Sequence, residues 1–505
     1  MNARSSWVGL GCLLAAGCGG GAQDDAPFAD GIRLKAIWQQ APDAPKQLLG
    51  WYDTALEASC QFSYPAAPYL IHGRGDEQYC IPTLTGIVVF GTNGQYADAA
   101  CTQPVSYVPC QARYVIAPPS SGLDCAQLPR LFRTGAWVDQ NSVFTLDAQG
   151  ICSPAPPLPD AGGAYYALGD EIPLATLVHA SVEIPPGAGA RIRPTRLRAS
   201  DGARQASKAW DVLRGESVEI PGWGVEGAPI AKWEPLDVFT NYGDGWPLFS
   251  DDTCSTWVAG GHACGDAEVH SLARYTTGAS CTAIASVEHY EIGAPLDAAD
   301  TFVGNFSGSC FVPYAGQVPD DGNSHIFAPG QQIEDSALAD VGVVELGSAR
   351  VHMQVPASPD GPVEIGTDRY FDSVLGQPCA PMTAADLSLR CLPTFGTDYP
   401  FFFADAGCTI PIALGPYRPD ASCPVAAPPS AASIQISPPG SCGRPSATFR
   451  AYQVVGPHTG DVYSLSGATC LNFTEAFAND PLYDLGAEIP PDSFELITTS
   501  EHYPP

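Results

Sequence analysis

Basic side chains are scarce in this chain. Only 23 Lys and Arg stand against 54 Asp and Glu in 505 residues, a net charge of −31. A surface of that sign repels nucleic-acid phosphates and anionic headgroups, so neither is an expected partner. Long apolar runs are lacking too: beyond the N-terminus no stretch is apolar enough to span a bilayer as a helix. No segment holds a 3.6-residue apolar period for long, and proline (49 residues) interrupts most candidates, which argues against a helical fold. Recognisable catalytic motifs are absent as well. There is no nucleophile elbow, zinc-protease helix, Walker loop, dinucleotide loop or EF-hand loop. No catalytic residue and no metal set is therefore assigned.

What is present begins with an address. Arg4 precedes a short apolar run from Trp7 to Ala16, ending in Leu14-Ala15-Ala16-Gly17-Cys18. A basic start, a short apolar core and small residues at the cut describe an export signal over residues 1–17. Residues 18–30, opening Gly19-Gly20-Gly21, form a flexible tether.

The remainder, 45% hydrophobic over the whole chain, reads as mostly β: three tandem, disulfide-stapled β-rich modules at 31–183, 184–348 and 349–505. The middle one is divergent and rich in Trp. One pattern occurs three times: an aromatic strand, a small acidic turn, a cysteine and a second apolar strand. Its copies are Gln95–Val105, Trp246–Val258 and Tyr399–Ala413. Alternating strands open the modules at Ile32–Ala36, Arg196–Ala199 and Val351–Val355, with one polar and one apolar face each. An aromatic–Asp element follows in each, at Asp53, Asp211 and Asp372. A closing turn carries Gly169, Gly330 and Gly486, which suggests a position needing positive φ.

Setting aside Cys12 and Cys18 leaves sixteen cysteines, an even number suited to oxidation in an exported chain. They are Cys60, Cys80, Cys101, Cys110, Cys125 and Cys152; then Cys254, Cys264, Cys281 and Cys310; then Cys379, Cys391, Cys408, Cys423, Cys442 and Cys470. The middle set lacks one pair. A pair is most simply lost together when its members bond each other, which assigns Cys60–Cys80 and Cys379–Cys391. For the remaining four of each set the expectation is in-order pairing: Cys101–Cys110 with Cys125–Cys152, Cys254–Cys264 with Cys281–Cys310, and Cys408–Cys423 with Cys442–Cys470.

Several clusters invite a ligand. His262, Cys264 and His270 could hold zinc, but Cys264 falls where a stapling cysteine is expected. Asp251-Asp252 and Asp320-Asp321-Gly322-Asn323-Ser324 are acidic loops able to take calcium, or simply solvated turns; no cofactor is otherwise implied. Arg74-Gly75-Asp76 lies within the Cys60–Cys80 loop and resembles an integrin-binding tripeptide, a match that arises easily by chance. Trp210, Trp223, Trp233, Trp246 and Trp257 gather in the middle module. They either replace its missing staple with buried aromatic area or line a groove for a ligand such as a glycan.

Cys18, placed at the cut, resembles the lipobox cysteine of bacterial lipoproteins, which becomes acylated. Gly19 in place of Asp then implies sorting to the outer membrane or cell surface. With the three stapled copies, their Asp-Ala-x-Cys-Thr-x-Pro hairpins and the low Lys content, the chain resembles uncharacterised cysteine-stapled repeat lipoproteins of myxobacteria-like bacteria. The resemblance implies no active site. The expectation is a non-enzymatic, surface-anchored lipoprotein with a structural or ligand-binding role, its partners being the membrane through its anchor and a glycan or envelope protein. The alternative is a secreted hydrolase of glycan or peptide using carboxylates of the middle module.

Overall fold

The computed structural model describes residues 28–501, except for short interior stretches of which the longest are 118–128, 221–231, 277–285, 312–323, 416–428 and 437–446. Strands dominate. Among the described residues there is no α-helix, only single 3-10 turns such as Leu174–Thr176, Asp335–Ala337 and Pro491–Ser493. None is long and apolar enough to cross a membrane.

The alternating stretches form strands at Leu34–Gln40, Ile192–Ala199 and Val351–Ser358. In the last, both faces are covered. Val351, Met353 and Val355 enter an apolar core, and on the opposite face His352 and Gln354 are also buried, with Gln354 accepting from Arg369 Nε at 2.9 Å. A strand buried on both sides still alternates in sequence because its polar face finds hydrogen-bond partners.

One path of paired strands, in an 11-stranded sheet, draws on all three thirds of the chain. It runs from Glu234–Pro235 through Glu216–Glu219, Arg204–Asp211, Ile192–Ala199, His179–Glu183, Gln78–Pro82, Ala58–Ser63 and Gln47–Asp53 to Leu34–Gln40 and Thr498–Thr499. The expected boundary at 183/184 thus falls inside one sheet, where Glu183 pairs with Arg196.

A second kind of unit is a ring of five strands. In the first third, Thr85–Ile87, Tyr114–Ala117, Arg130–Val138, Gly163–Ile172 and Val105–Pro109 close a barrel. In the middle third, Val238–Thr240, Ser271–Thr276, Ser286–Pro295, Ser324–Gln332 and Ala259–Cys264 follow the same order, and the Thr240–Gly260 pairing closes them. Each ring contains one parallel pair. The last third repeats four of the five in order: Ala431–Gln435, Thr448–Pro457, Leu482–Ile489 and Pro411–Leu414.

The three glycines expected at a closing turn lie instead within the long strands of these units, and none has positive φ. Their reason is close approach. A Cβ on Gly169 would lie 2.8 Å from Arg133 O, one on Gly330 2.8 Å from Glu291 O, and one on Gly486 2.8 Å from Val455 Cγ2. In all three units the strand pair shifts register near these points, so the chains crowd at an irregularity.

Candidate functional site

Three buried aspartates organise the local structure. Asp53, Asp211 and Asp372 are 0%, 1% and 0% exposed, and each closes a strand. Their Oδ1 atoms accept from the backbone N–H groups two and three residues on, which fixes the following turn. Each also meets an arginine just before an opening strand: Arg33 at 2.6 Å, Arg191 at 2.8 Å and Arg350 at 2.7 Å. The same guanidiniums donate to carbonyls of the 3-10 turns, at Thr176 (2.7 Å), Ala337 (2.6 Å) and Ser493 (2.6 Å). One arginine therefore ties the opening of each third to its end, across 143, 146 and 143 residues. Recurrence of the aspartates was visible in the sequence; the arginine clamp was not.

A second local unit is the staple. The expected Cys60–Cys80 and Cys379–Cys391 bridges are present. The in-order pairing of the others is not: the bridges are Cys101–Cys152, Cys254–Cys310 and Cys408–Cys470. Strand pairing is the cause. Tyr96 faces Phe144, Phe249 faces Phe302, and Phe403 faces Tyr463, so the cysteines just beyond these pairs meet although they are 51 to 62 residues apart. Cys101, Cys254 and Cys408 all have positive φ, at 50°, 52° and 51°. Cys264 is disulfide-bonded as well, which removes it from a zinc set with His262 and His270. Cys110, Cys125, Cys281, Cys423 and Cys442 lie outside the described residues.

The acidic turns serve these staples. Asp251 accepts from Thr253 N, Ser255 N and Thr256 N at 3.0, 3.0 and 2.6 Å and from the Thr253 hydroxyl. Asp98 and Asp405 do the same through Thr102 and Thr409. Hydrogen bonds to the ionised form hold all three carboxyls below the usual carboxylate range, led by the Thr102 hydroxyl, the Thr253 hydroxyl and the Ile410 N–H. The Asp251 oxygens are thus occupied by protein donors. Among the described residues no group of three His, Cys, Asp or Glu is placed to hold a metal ion. The 320–323 loop lies outside the described residues, as do Cys18, Arg74 and Trp223.

Trp210, Trp233 and Trp257 lie apart rather than lining one groove. Trp233 is 1% exposed in a core with Ile192, Ala209 and Val218, and its indole N–H finds no partner among the described residues. Trp257 packs on Tyr290 at 5.0 Å beside Arg274, in another cluster. Trp210 is half-buried on the strand Arg204–Asp211, and Trp246 opens the strand Trp246–Phe249.

The middle third is distinctive elsewhere, where its sheet meets its ring. In the first third that joint is apolar: Leu56, Tyr114 and Leu131 pack with Ile172 and Leu177, with Ala58 against them. In the last third Leu375, Ala451, Ile489 and Phe494 fill the same place. The corresponding positions of the middle third are identified by their backbone partners. Arg214 N donates to Asp211 as Leu56 N does to Asp53 and Leu375 N to Asp372. Glu216, Ala58 and Gln377 pair with those same aspartates. Ser271 faces Glu291 as Tyr114 faces Arg133 and Ala431 faces Gln453. His289, two residues before Glu291, falls where Leu131 and Ala451 do.

Four positions that are mainly apolar in the outer thirds thus carry Arg214, Glu216, Ser271 and His289. The first three form a network, and His289 pairs separately with Glu234. Arg214 Nε donates to Glu216, and Arg214 Nη2 donates to Ser271 Oγ at 3.1 Å. Ser271 Oγ donates to Glu216 Oε2 at 2.8 Å, and His289 Nε2 lies 3.2 Å from Glu234 Oε2. Beside it opens a cavity of about 660 Å³, lined in part by the clamp residue Arg191, Arg214, Leu213, Ile292 and the exposed Glu291. That volume lies within the roughly 300–1,000 Å³ of small-ligand sites. A low-charge joint with a Leu in place of Arg214 is what the sequence pattern leads one to expect; the repeat alignment at Asp211, continued three residues further, was the signal that could have found the site.

Comparison with family models, curated proteins and solved structures finds no match for the chain.

Proposed function

We propose that this chain is an exported β scaffold of three like modules, 31–183, 184–348 and 349–505, anchored through an acylated Cys18 at the bacterial cell envelope, and that its middle module binds a ligand in the Arg191–Arg214 cavity. One observation carries the binding role. At equivalent joints the outer thirds bury mainly apolar side chains, with Gln377 the one polar exception, whereas the middle third holds a charged network beside an open cavity. Buried polar groups lower stability unless every partner is supplied, so four together at one joint are costly as mere packing. A lipobox-like N-terminus, the staples and the acidic composition support the envelope address.

The hydrolase reading has weaker support. Acid–base cleavage of a glycan needs two carboxyls flanking one bond, and among the described residues Glu291 is the one carboxylate lining the cavity. Ser271 is 0% exposed and is not among the residues lining the cavity, so its hydroxyl is not presented there as a nucleophile.

The test is affinity capture from a detergent extract of the native envelope. The full-length protein is compared with Arg214→Leu/Glu216→Ala, which restores the apolar residues of the first third. The expected result is an envelope component retained by the native chain and lost by the variant, with both melting as folded proteins. Identical retention by both would remove the cavity from the function.

A further inference from the structure

The chemistry lining the cavity also selects a ligand class, an assignment that rests on the binding role proposed above. We propose that the site takes a neutral saccharide, its hydroxyls set between the two guanidiniums and Glu291 and its C–H face against Leu213, Val269 and Ile292.

The donors come first. Arg191 uses Nε and Nη2 on Asp211 and Ala337 O, and Arg214 uses Nε and Nη2 on Glu216 and Ser271. Neither Nη1 group has a partner among the described residues, and both arginines line the cavity. An acceptor faces them. Glu291 is exposed on the cavity wall and makes no hydrogen bond or ion pair among the described residues. Fixed donors and a nearby acceptor within one site suit a group that both accepts and donates, which a hydroxyl does.

Charge narrows the choice further. Two guanidiniums stand against Asp211, Glu216 and Glu291, a local balance of two positive and three negative, on a chain of net charge −31. An anion would meet guanidiniums already neutralised by buried carboxylates, and would face Glu291 as well. A cation could pair with Glu291 but would leave the guanidinium N–H groups without acceptors. A neutral polyol satisfies both. The remaining wall is mixed: Leu213, 76% exposed, with Val269 and Ile292 gives an apolar patch, and His270, Ser336 and Ala337 complete the lining. Such a patch matches the C–H face of a pyranose ring. Rigidity favours binding too, because the two guanidiniums are held by ion pairs before the ligand arrives.

The experiment is calorimetric titration of the full-length protein with four trisaccharide-sized probes. Chitotriose and maltotriose are neutral, trigalacturonate is anionic and the fully deacetylated chitosan trimer is cationic. The expected result is saturable binding of at least one neutral probe and neither charged one. Glu291→Gln and Arg214→Leu/Glu216→Ala should each weaken it about tenfold or more, the loss expected for one charged hydrogen bond. Glu291→Gln lies on an exposed rim, so its folding is not in question. Binding confined to a charged probe, or neutral binding indifferent to both variants, overturns the saccharide assignment. If no probe binds while envelope capture still depends on the cavity, the saccharide assignment falls and the binding role stands. If capture is also indifferent, both fall.

Discussion

At the scale of single residues, the arginine clamps tie a buried carboxylate to a distant backbone carbonyl. Asp372 is fully buried, and Arg350 satisfies it with Nε at 2.9 Å and Nη2 at 2.7 Å while Nη1 reaches Ser493 O. Removing one partner of a buried pair leaves an uncompensated charge, at a cost of about 3–5 kcal/mol. Arg350→Ala should therefore lower the unfolding free energy by that amount in urea denaturation. Arg350→Lys should recover little of it, since a lysine cannot supply three donors in a fixed fork. The exposed Arg130–Glu171 pair is the control: Arg130→Ala should leave the transition where it is. A loss at Arg350 no larger than at Arg130 would show the clamp to be incidental. The aspartates could be read from their threefold recurrence. The arginines could not, because Arg33, Arg191 and Arg350 act on a carboxylate about twenty residues away and on a carbonyl over 140 residues away. The pocket was hidden for a related reason: Arg214 carries meaning only when set against Leu56 and Leu375, and those equivalences follow from backbone hydrogen bonds.

Among the elements, the strand–turn–cysteine unit shows how pairing overrides sequence distance. Short loops cost less entropy to close, so neighbouring cysteines are the natural first choice for a bridge. The aromatic strands reverse that choice by pairing across more than 40 residues, as Tyr96 does with Phe144. Once the strands are paired, the cysteines beyond them sit with Cα atoms 5.9, 5.7 and 5.8 Å apart, in normal disulfide reach. The Cys60–Cys80 bridge was accessible because it needed only a comparison of copies, with no knowledge of pairing. The difference in loop length has a measurable consequence. Opening the 62-residue Cys408–Cys470 separation should cost about 4 kcal/mol, and the 12-residue Cys379–Cys391 separation about 3 kcal/mol. Paired Cys→Ser variants of each bridge, compared by denaturant unfolding, should rank in that order. The reverse ranking would mean that strand pairing already restrains the unfolded chain.

Across the whole molecule, the stretch after each 3-10 turn joins its own third to an opening strand. Ala180 pairs with Gln78 on one side, and Ser181 pairs with Arg198 on the other. Asp340 bridges to Lys232, and Gly342 pairs with Ala357. Leu496 bridges to Arg390, and Thr498 pairs with Gln40, back in the first third. The registers correspond: Ser181, Gly342 and Thr498 each lie five residues beyond the carbonyl that their own third's clamp arginine holds, and their partners Arg198, Ala357 and Gln40 each lie seven beyond the clamp arginine of the third they join, Arg191, Arg350 and Arg33. The end of the described chain thus closes onto its beginning, and the last seam is the shortest, with only Gln39–Thr499 and Gln40–Thr498 as strand pairs. Ile497, 5% exposed, adds apolar burial against Ala41 and Ala44, worth about 1.5–3 kcal/mol. This closure was not legible in the sequence, where Glu495–Ser500 carries no strand pattern longer than its neighbours. Deleting residues 496–505 keeps Ser493 and the clamp but removes the seam. In hydrogen exchange the deletion should speed Trp38–Gln40, whose carbonyl and N–H at Trp38 are held by Ser500. Leu272 and Ala273, in the middle ring, should keep their protection, because their partners Tyr290 and His289 are untouched. Unchanged exchange at Trp38–Gln40 would show that the chain does not close in solution. Loss of protection throughout would show instead that the seam holds all three thirds together.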